Sequence, residues 1–166
     1  MSDRPRDGAQ SLVGRLYDAY GASLYRYAVL LLADSAAAED AVQQVFAALL
    51  RQAPRIDHDA RYLRRAVRNE CYSMLRRRRD RREDTEDGDA ALVEPVVDGV
   101  THDERIALER AIRELTPEQR EVVHLHVFEG LTFQEIADAA DASINTIAAR
   151  YRYALAKLRQ LLTSTP

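Results

Sequence analysis

The chain has 166 residues, 46% of them apolar and 31% charged, with a net charge of −3. There is enough Leu, Ala, Val and Ile for one core or two small ones, and the acidic balance excludes a protein that coats DNA through overall positive charge. No run of about 18 apolar residues is present to span a bilayer, and the polar residues 1–10 lack the apolar stretch of a secretory signal, so the chain is expected in the cytoplasm.

Helical periodicity governs the first half, and none of it shows the strict alternation of a half-buried strand. Leu12, Leu16, Tyr20, Leu24, Ala28 and Leu31 recur at three- and four-residue steps, which gathers them on one side of a first helix. A second helix follows Asp34 and Ser35, either of which suits its cap, with Glu39 and Asp40 near its positive end. Its buried stripe is expected to be Ala38, Val42, Val45, Phe46 and Leu49, and Pro54 ends it. A third helix begins near Asp59. Its apolar side holds Leu63, Ala66, Val67 and Met74, while Arg61, Arg65, Arg68, Tyr72, Arg76 and Arg79 lie opposite. Glu70 falls toward the apolar side, and the sequence names no partner for it. The lone Cys71 permits no disulfide within the chain and is expected to pack as a small apolar side chain.

The charges of the middle are segregated. Residues 61–82 hold ten arginines against Glu70 and Asp80, whereas residues 83–104 hold nine acids and no Lys or Arg. From residue 83 to 102 periodicity is lost and Asp, Glu, Gly and Pro95 accumulate, the composition of a flexible acidic linker. The expected organisation is therefore all-α, with a domain over residues 10–82, a linker over 83–102 and a second domain over 103–163.

Beyond the linker, Ile106, Ala107, Ala111 and Ile112 mark a short helix ending at Leu115. In Thr116-Pro117-Glu118-Gln119, Thr116 caps, Pro117 takes the first helical position and Gln119 completes a capping box. That helix is expected to run through Val122, Val123, Leu125 and Phe128 to a left-handed Gly130. Thr132 and Glu135 form a second capping box, with Leu131 and Ile136 placed as a hydrophobic staple. A short helix from Phe133, the tight Asp141-Ala142-Ser143 connection and a long helix from Ile144 have the proportions of a helix-turn-helix.

In that motif the second helix presents its N-terminal residues to base edges in the major groove. Ile144, Ile147, Tyr151, Leu155, Leu158 and Leu162 are expected to face the core, leaving Thr146, Ala149, Arg150, Tyr153 and Lys157 roughly opposite. Asn145, Thr146 and Arg150 are then the candidates for base contact, with Tyr153 on the same face and Arg152 and Lys157 placed for phosphates. In the first domain, the arginine ridge interleaved with Tyr72 suits a nucleic acid backbone whose bases can stack. An enzyme is disfavoured. Six glycines form no phosphate-binding loop, and His124 and His126 point apart on a helix, so neither catalytic residues nor a metal or cofactor site is expected.

Four stretches, in this order and spacing, resemble extracytoplasmic-function sigma factors of the sigma-70 family. They are Ala38-Glu39-Asp40-Ala41-Val42-Gln43-Gln44-Val45-Phe46, Tyr62-Leu63-Arg64-Arg65-Ala66-Val67-Arg68-Asn69, Leu115-Thr116-Pro117-Glu118-Gln119-Arg120-Glu121-Val122 and Glu129-Gly130-Leu131-Thr132-Phe133-Gln134-Glu135-Ile136-Ala137. The resemblance implies a region 2 bundle of three to four helices and a region 4 helix-turn-helix, which together bind core RNA polymerase at its clamp and flap and direct it to promoter DNA. By the same resemblance Asp40, Gln43, Gln44 and Phe46 would dock on the polymerase clamp. Residues 55–79, including Arg65, Arg68 and Asn69, would open and read the −10 element, and the helix-turn-helix would bind the −35 element. An anti-sigma factor or other regulatory protein is a candidate partner. The chain departs from the family pattern at Asp141, where Gly is usual, at Ala148, where a basic residue is frequent, and at Tyr62, where Trp is common. Two other readings compete: a sigma-like decoy that binds a protein but no DNA, against which the arginines on both faces speak, and a simple helix-turn-helix repressor, which leaves the first domain unexplained.

Overall fold

The computed structural model describes residues 4–52, 59–81 and 99–163, and all the regular structure in them is helical. The chain divides into two compact units, Met1–Gly88 and Asp89–Pro166. Most of the acidic stretch expected to be a linker, and the loop before the third helix, lie outside the described residues.

In the first unit α1 (Arg4–Leu32), α2 (Ser35–Arg51) and α3 (Ala60–Asp80) pack against one another. Leu24, Ala28 and Leu31 of the expected stripe are buried, but Leu12, Leu16 and Tyr20 are only half-buried. The C-terminal end of α1 is enclosed all round, from Tyr27 through Ala33, which the apolar run Ala28-Val29-Leu30-Leu31-Leu32 permits. From α2 the core takes Ala38, Ala41, Val42, Val45, Phe46 and Leu49, and from α3 it takes Leu63, Val67 and Cys71. Cys71 is therefore a packed apolar group, as its neighbours in sequence suggest.

Between α1 and α2 the chain turns in two residues. Ala33 closes α1 in the left-handed region, φ 52°, and Asp34 then caps α2, its Oδ1 accepting the Ala37 N–H at 3.0 Å. The other carboxylate oxygen accepts from the Arg78 guanidinium at 2.7 Å, which pins the end of α3 to the start of α2. The Ala37 N–H, and beside it Arg78, hold the Asp34 carboxyl below its usual range against the opposing effect of partial burial. The start of α3 is built the same way, Asp59 accepting the Tyr62 N–H at 2.9 Å.

In the second unit three successive helices begin with a capping box: α4 (His102–Arg113) on Thr101 and Glu104, α5 (Pro117–Val123) on Thr116 and Gln119, and α6 (Phe133–Ala140) on Thr132 and Glu135. The first of these was not foreseen. The N–H and hydroxyl of Thr101 both donate to Glu104, keeping that exposed carboxyl below its usual range. After α5 the chain widens into a π-helical turn, His124–Phe128, before Gly130, φ 68°, reverses it. The wider turn, where the sequence led an ordinary helix through Phe128, leaves that side chain 60% exposed. Ala111, Ile112, Leu115, Val122, Val123 and Leu125 supply the core beneath α6 and α7 (Ile144–Thr163). Arg120 and Glu121 are buried in α5 as well, charged residues that the apolar pattern alone did not pick out.

Two expectations follow from the caps. Replacing Asp34 with Ala destabilises the first unit by about 1–2 kcal/mol at pH 7 in denaturant titration, because the cap and the Arg78 partner go together. Since the folded-state pKa is lowered, that contribution is present above the ordinary value of 3.8 and is lost as pH falls through the folded value, so wild type and variant converge in acid. At the other left-handed residue, Asp141, φ 51°, substitution by Gly raises stability by roughly 0.5–1 kcal/mol, read as a higher melting temperature.

Candidate nucleic-acid interface

The helix-turn-helix is assembled by short-range bonds around a small buried contact. Asp141, in the left-handed conformation, ends α6; its N–H and that of Ala142 both donate to the Ala137 carbonyl. Ser143 then caps α7, its Oγ accepting the Thr146 N–H at 3.1 Å. The turn lets the small Ala137 and Ile136 be buried together with Ile147 of α7. On one side of this contact sit three rings, His126, Phe133 and Tyr151, with centroids 4.7 to 5.3 Å apart. His126 Nδ1 lies 2.8 Å from the Leu131 carbonyl, so it donates there and ties the π-helical turn to the entry of α6. Tyr151 is accordingly a packing residue.

The covered side of α7 is narrower than its sequence suggests. Ile147, Ala154 and Leu158 are buried and Tyr151 and Leu161 half-buried, whereas Ile144, Leu155 and Leu162 stand exposed. Ala154, a small residue not singled out from the sequence, is the centre of the packed side. This rotates the outer face. Asn145, Thr146, Arg152 and Tyr153 are exposed, while Arg150 is half-buried on the flank. Arg152, about two turns beyond Asn145, shares its side of the helix, a position the sequence reading assigned to Arg150. The Arg152 guanidinium lies 5.5 Å from the ring centroid of Tyr153. Lys157, two turns beyond Arg150 on that same flank, donates from its Nζ to the Glu114 carbonyl at the end of α4, so that it serves the packing of α4 on α7.

On α3 the arginine ridge stands as a continuous outer face. Arg61, Arg65, Asn69, Arg76 and Arg79 are exposed, and Arg68 and Tyr72 are half-buried, the guanidinium of Arg68 4.5 Å from the centre of the Tyr72 ring. Glu70 pairs with Arg77 at 3.1 Å, the partner the sequence did not name. The apolar side is led by Leu63, Val67 and Cys71, with Ala66 and Met74 half-buried.

Of the four residues expected to meet the polymerase, Asp40, Gln43 and Gln44 are exposed on α2, and Gln43 donates to Glu39 across one turn at 3.0 Å. Phe46 is not on that surface. It is 6% exposed and meets the edge of Tyr17 at 5.1 Å between centroids, because it belongs to the apolar stripe that α2 turns toward α1. Among the described residues no three His, Cys, Asp or Glu side chains converge as a metal site, and no helix is long and apolar enough to cross a membrane.

Residues 16–81 match the Sigma-70 region 2 family and residues 105–158 the Sigma-70, region 4 family. The chain is 31% identical, over 95% of its length, to the ECF RNA polymerase sigma factor BldN of Streptomyces coelicolor, of which it spans 64%. It is 26% identical, over 92% of its length, to the ECF RNA polymerase sigma factor SigK of Mycobacterium tuberculosis, of which it spans 87%. The fold is similar to that of the sigma factor RpoE of Bartonella quintana, solved in complex with the anti-sigma factor NepR, with a TM-score of 0.68 at 23% identity over 92% of this chain and 98% of that one. With a region 2 unit carrying an arginine ridge followed by a region 4 unit carrying a helix-turn-helix, the chain belongs to the sigma-70 family and, within it, to the extracytoplasmic-function sigma factors.

Proposed function

We propose that the chain is an initiation factor that joins core RNA polymerase and selects promoters, acting by binding rather than by catalysis. The observation that carries this reading is the pair of cationic helix faces, one in each unit: the α3 ridge and the side of α7 on which Arg152 and Arg159 stand exposed, in a helix without an acid. A polyanion meets both without a repelling carboxylate at α7. In this reading residues 10–82 bind polymerase and the −10 element, residues 83–102 link, and residues 103–163 bind the −35 element. Asn145, Thr146, Arg152 and Tyr153 face the upstream duplex. Arg61, Arg65, Arg68, Asn69, Tyr72, Arg76 and Arg79 engage the −10 region as it opens, and Asp40, Gln43 and Gln44 offer α2 to the polymerase clamp. A regulatory anti-sigma protein is a further partner, supported by the RpoE relative solved with one.

The direct test is run-off transcription with purified chain and core polymerase over a genome-wide promoter library. Selective starts sharing −10 and −35 sequences are expected; the absence of any selective start overturns the reading. Within the upstream element, Arg152→Ala is expected to cost about 1–3 kcal/mol in affinity at one base position, the range for a lost bidentate base contact. Arg65→Ala should instead weaken binding evenly across sequences and lower the slope of affinity against salt by about one charge.

A further inference from the structure

Ile144 is the first residue of α7 and lies between the cap Ser143 and the candidate base-contact residue Asn145, yet it is 45% exposed. A β-branched apolar side chain so placed loses free energy in water unless something covers it. One turn on, at the i+4 position of the same flank, stands Ala148, half-buried and small enough to let a duplex approach closely. The next residue of that row, one turn beyond Ala148, is the exposed Arg152, and α7 itself carries no acid, so its occupant is anionic and also offers an apolar group. The major groove of DNA does both where a thymine carries its C5-methyl. We infer that Ile144, with Ala148 behind it, reads a thymine methyl in the upstream element, so that this factor specifies a thymine there by apolar contact. The inference rests on the proposal that α7 docks in the major groove.

Removing the methyl from the DNA tests it without disturbing the protein. Holoenzyme binding is measured on its selected upstream site with each thymine replaced in turn by deoxyuridine, which keeps every hydrogen-bonding group. At one position the replacement is expected to weaken binding about four-fold, the worth of one buried methyl. In Ile144→Ser, whose side chain is exposed and whose folding is checked by circular dichroism, that ratio falls to about one, while the effect of Arg152→Ala remains. A thymine-to-deoxyuridine ratio unchanged by Ile144→Ser, or no thymine sensitive to its methyl, overturns the inference and leaves the promoter-selecting reading standing. Loss of core polymerase binding in Ile144→Ser with the ratio intact also overturns it, since the side chain would then meet protein. Failure of the wild-type holoenzyme to select any upstream site removes the proposed function and this inference together.

Discussion

What α7 can offer to a partner depends on how it leaves α6, and three residues set that departure. Asp141 takes a left-handed backbone, φ 51° and ψ 49°, and the next N–H returns to the Ala137 carbonyl before Ser143 restarts the helix. Glycine makes that conformation without cost, whereas aspartate accepts it because its short polar side chain tolerates the region better than most. The turn brings α7 onto a contact of small and branched side chains, Ile136, Ala137 and Ile147, and this fixes its rotation. Once Ile147, Ala154 and Leu158 are committed to the core, Asn145 and Arg152 have no other side to occupy.

The first unit solves a similar problem with a different device. Its third helix must bury one face while carrying eight arginines, and it does so by dedicating Leu63, Val67 and Cys71 to the core. Repulsion among the arginines is relieved where they find partners: Arg77 on Glu70, and Arg78 on the Asp34 that already caps α2. The two cations therefore serve the fold, while Arg61, Arg65, Arg76 and Arg79 remain in solvent for a polyanion. A run that reads in sequence as one basic block is thus divided in structure into supports and contacts.

Much of the candidate site was legible beforehand because its signals are local. The capping boxes at Thr116 and Thr132 and the cap at Asp34 each join atoms three residues apart, so four or five letters suffice to predict them. The arginine ridge was legible for a related reason, since a strongly amphipathic helix has only one way to face a core. Apart from the local box at Thr101, which the acidic stretch around it concealed, reading failed where the outcome rests on distant neighbours. Leu155 and Leu162 are spaced like core residues but are left exposed by the helices beside α7, and Phe128 is rotated out by a widened turn whose sequence resembles ordinary helix. Lys157 matched the outer face until the end of α4, 43 residues away, supplied a carbonyl for it.

The sequence by itself determined that the chain is helical, where most helices begin, where its positive charge is concentrated, and to which family it belongs. These are set by propensity, by bonds within a turn and by the order of short motifs. Only the tertiary structure decided that Arg152 stands exposed while Arg150 is half-buried, that Lys157 is held by the end of α4, and that Ile144 stands uncovered at the head of α7. Those outcomes depend on which side of each helix its partners cover. The apolar side of α7 is wider than the surface its neighbours cover, so which part of it is buried is settled by packing against the rest of the unit.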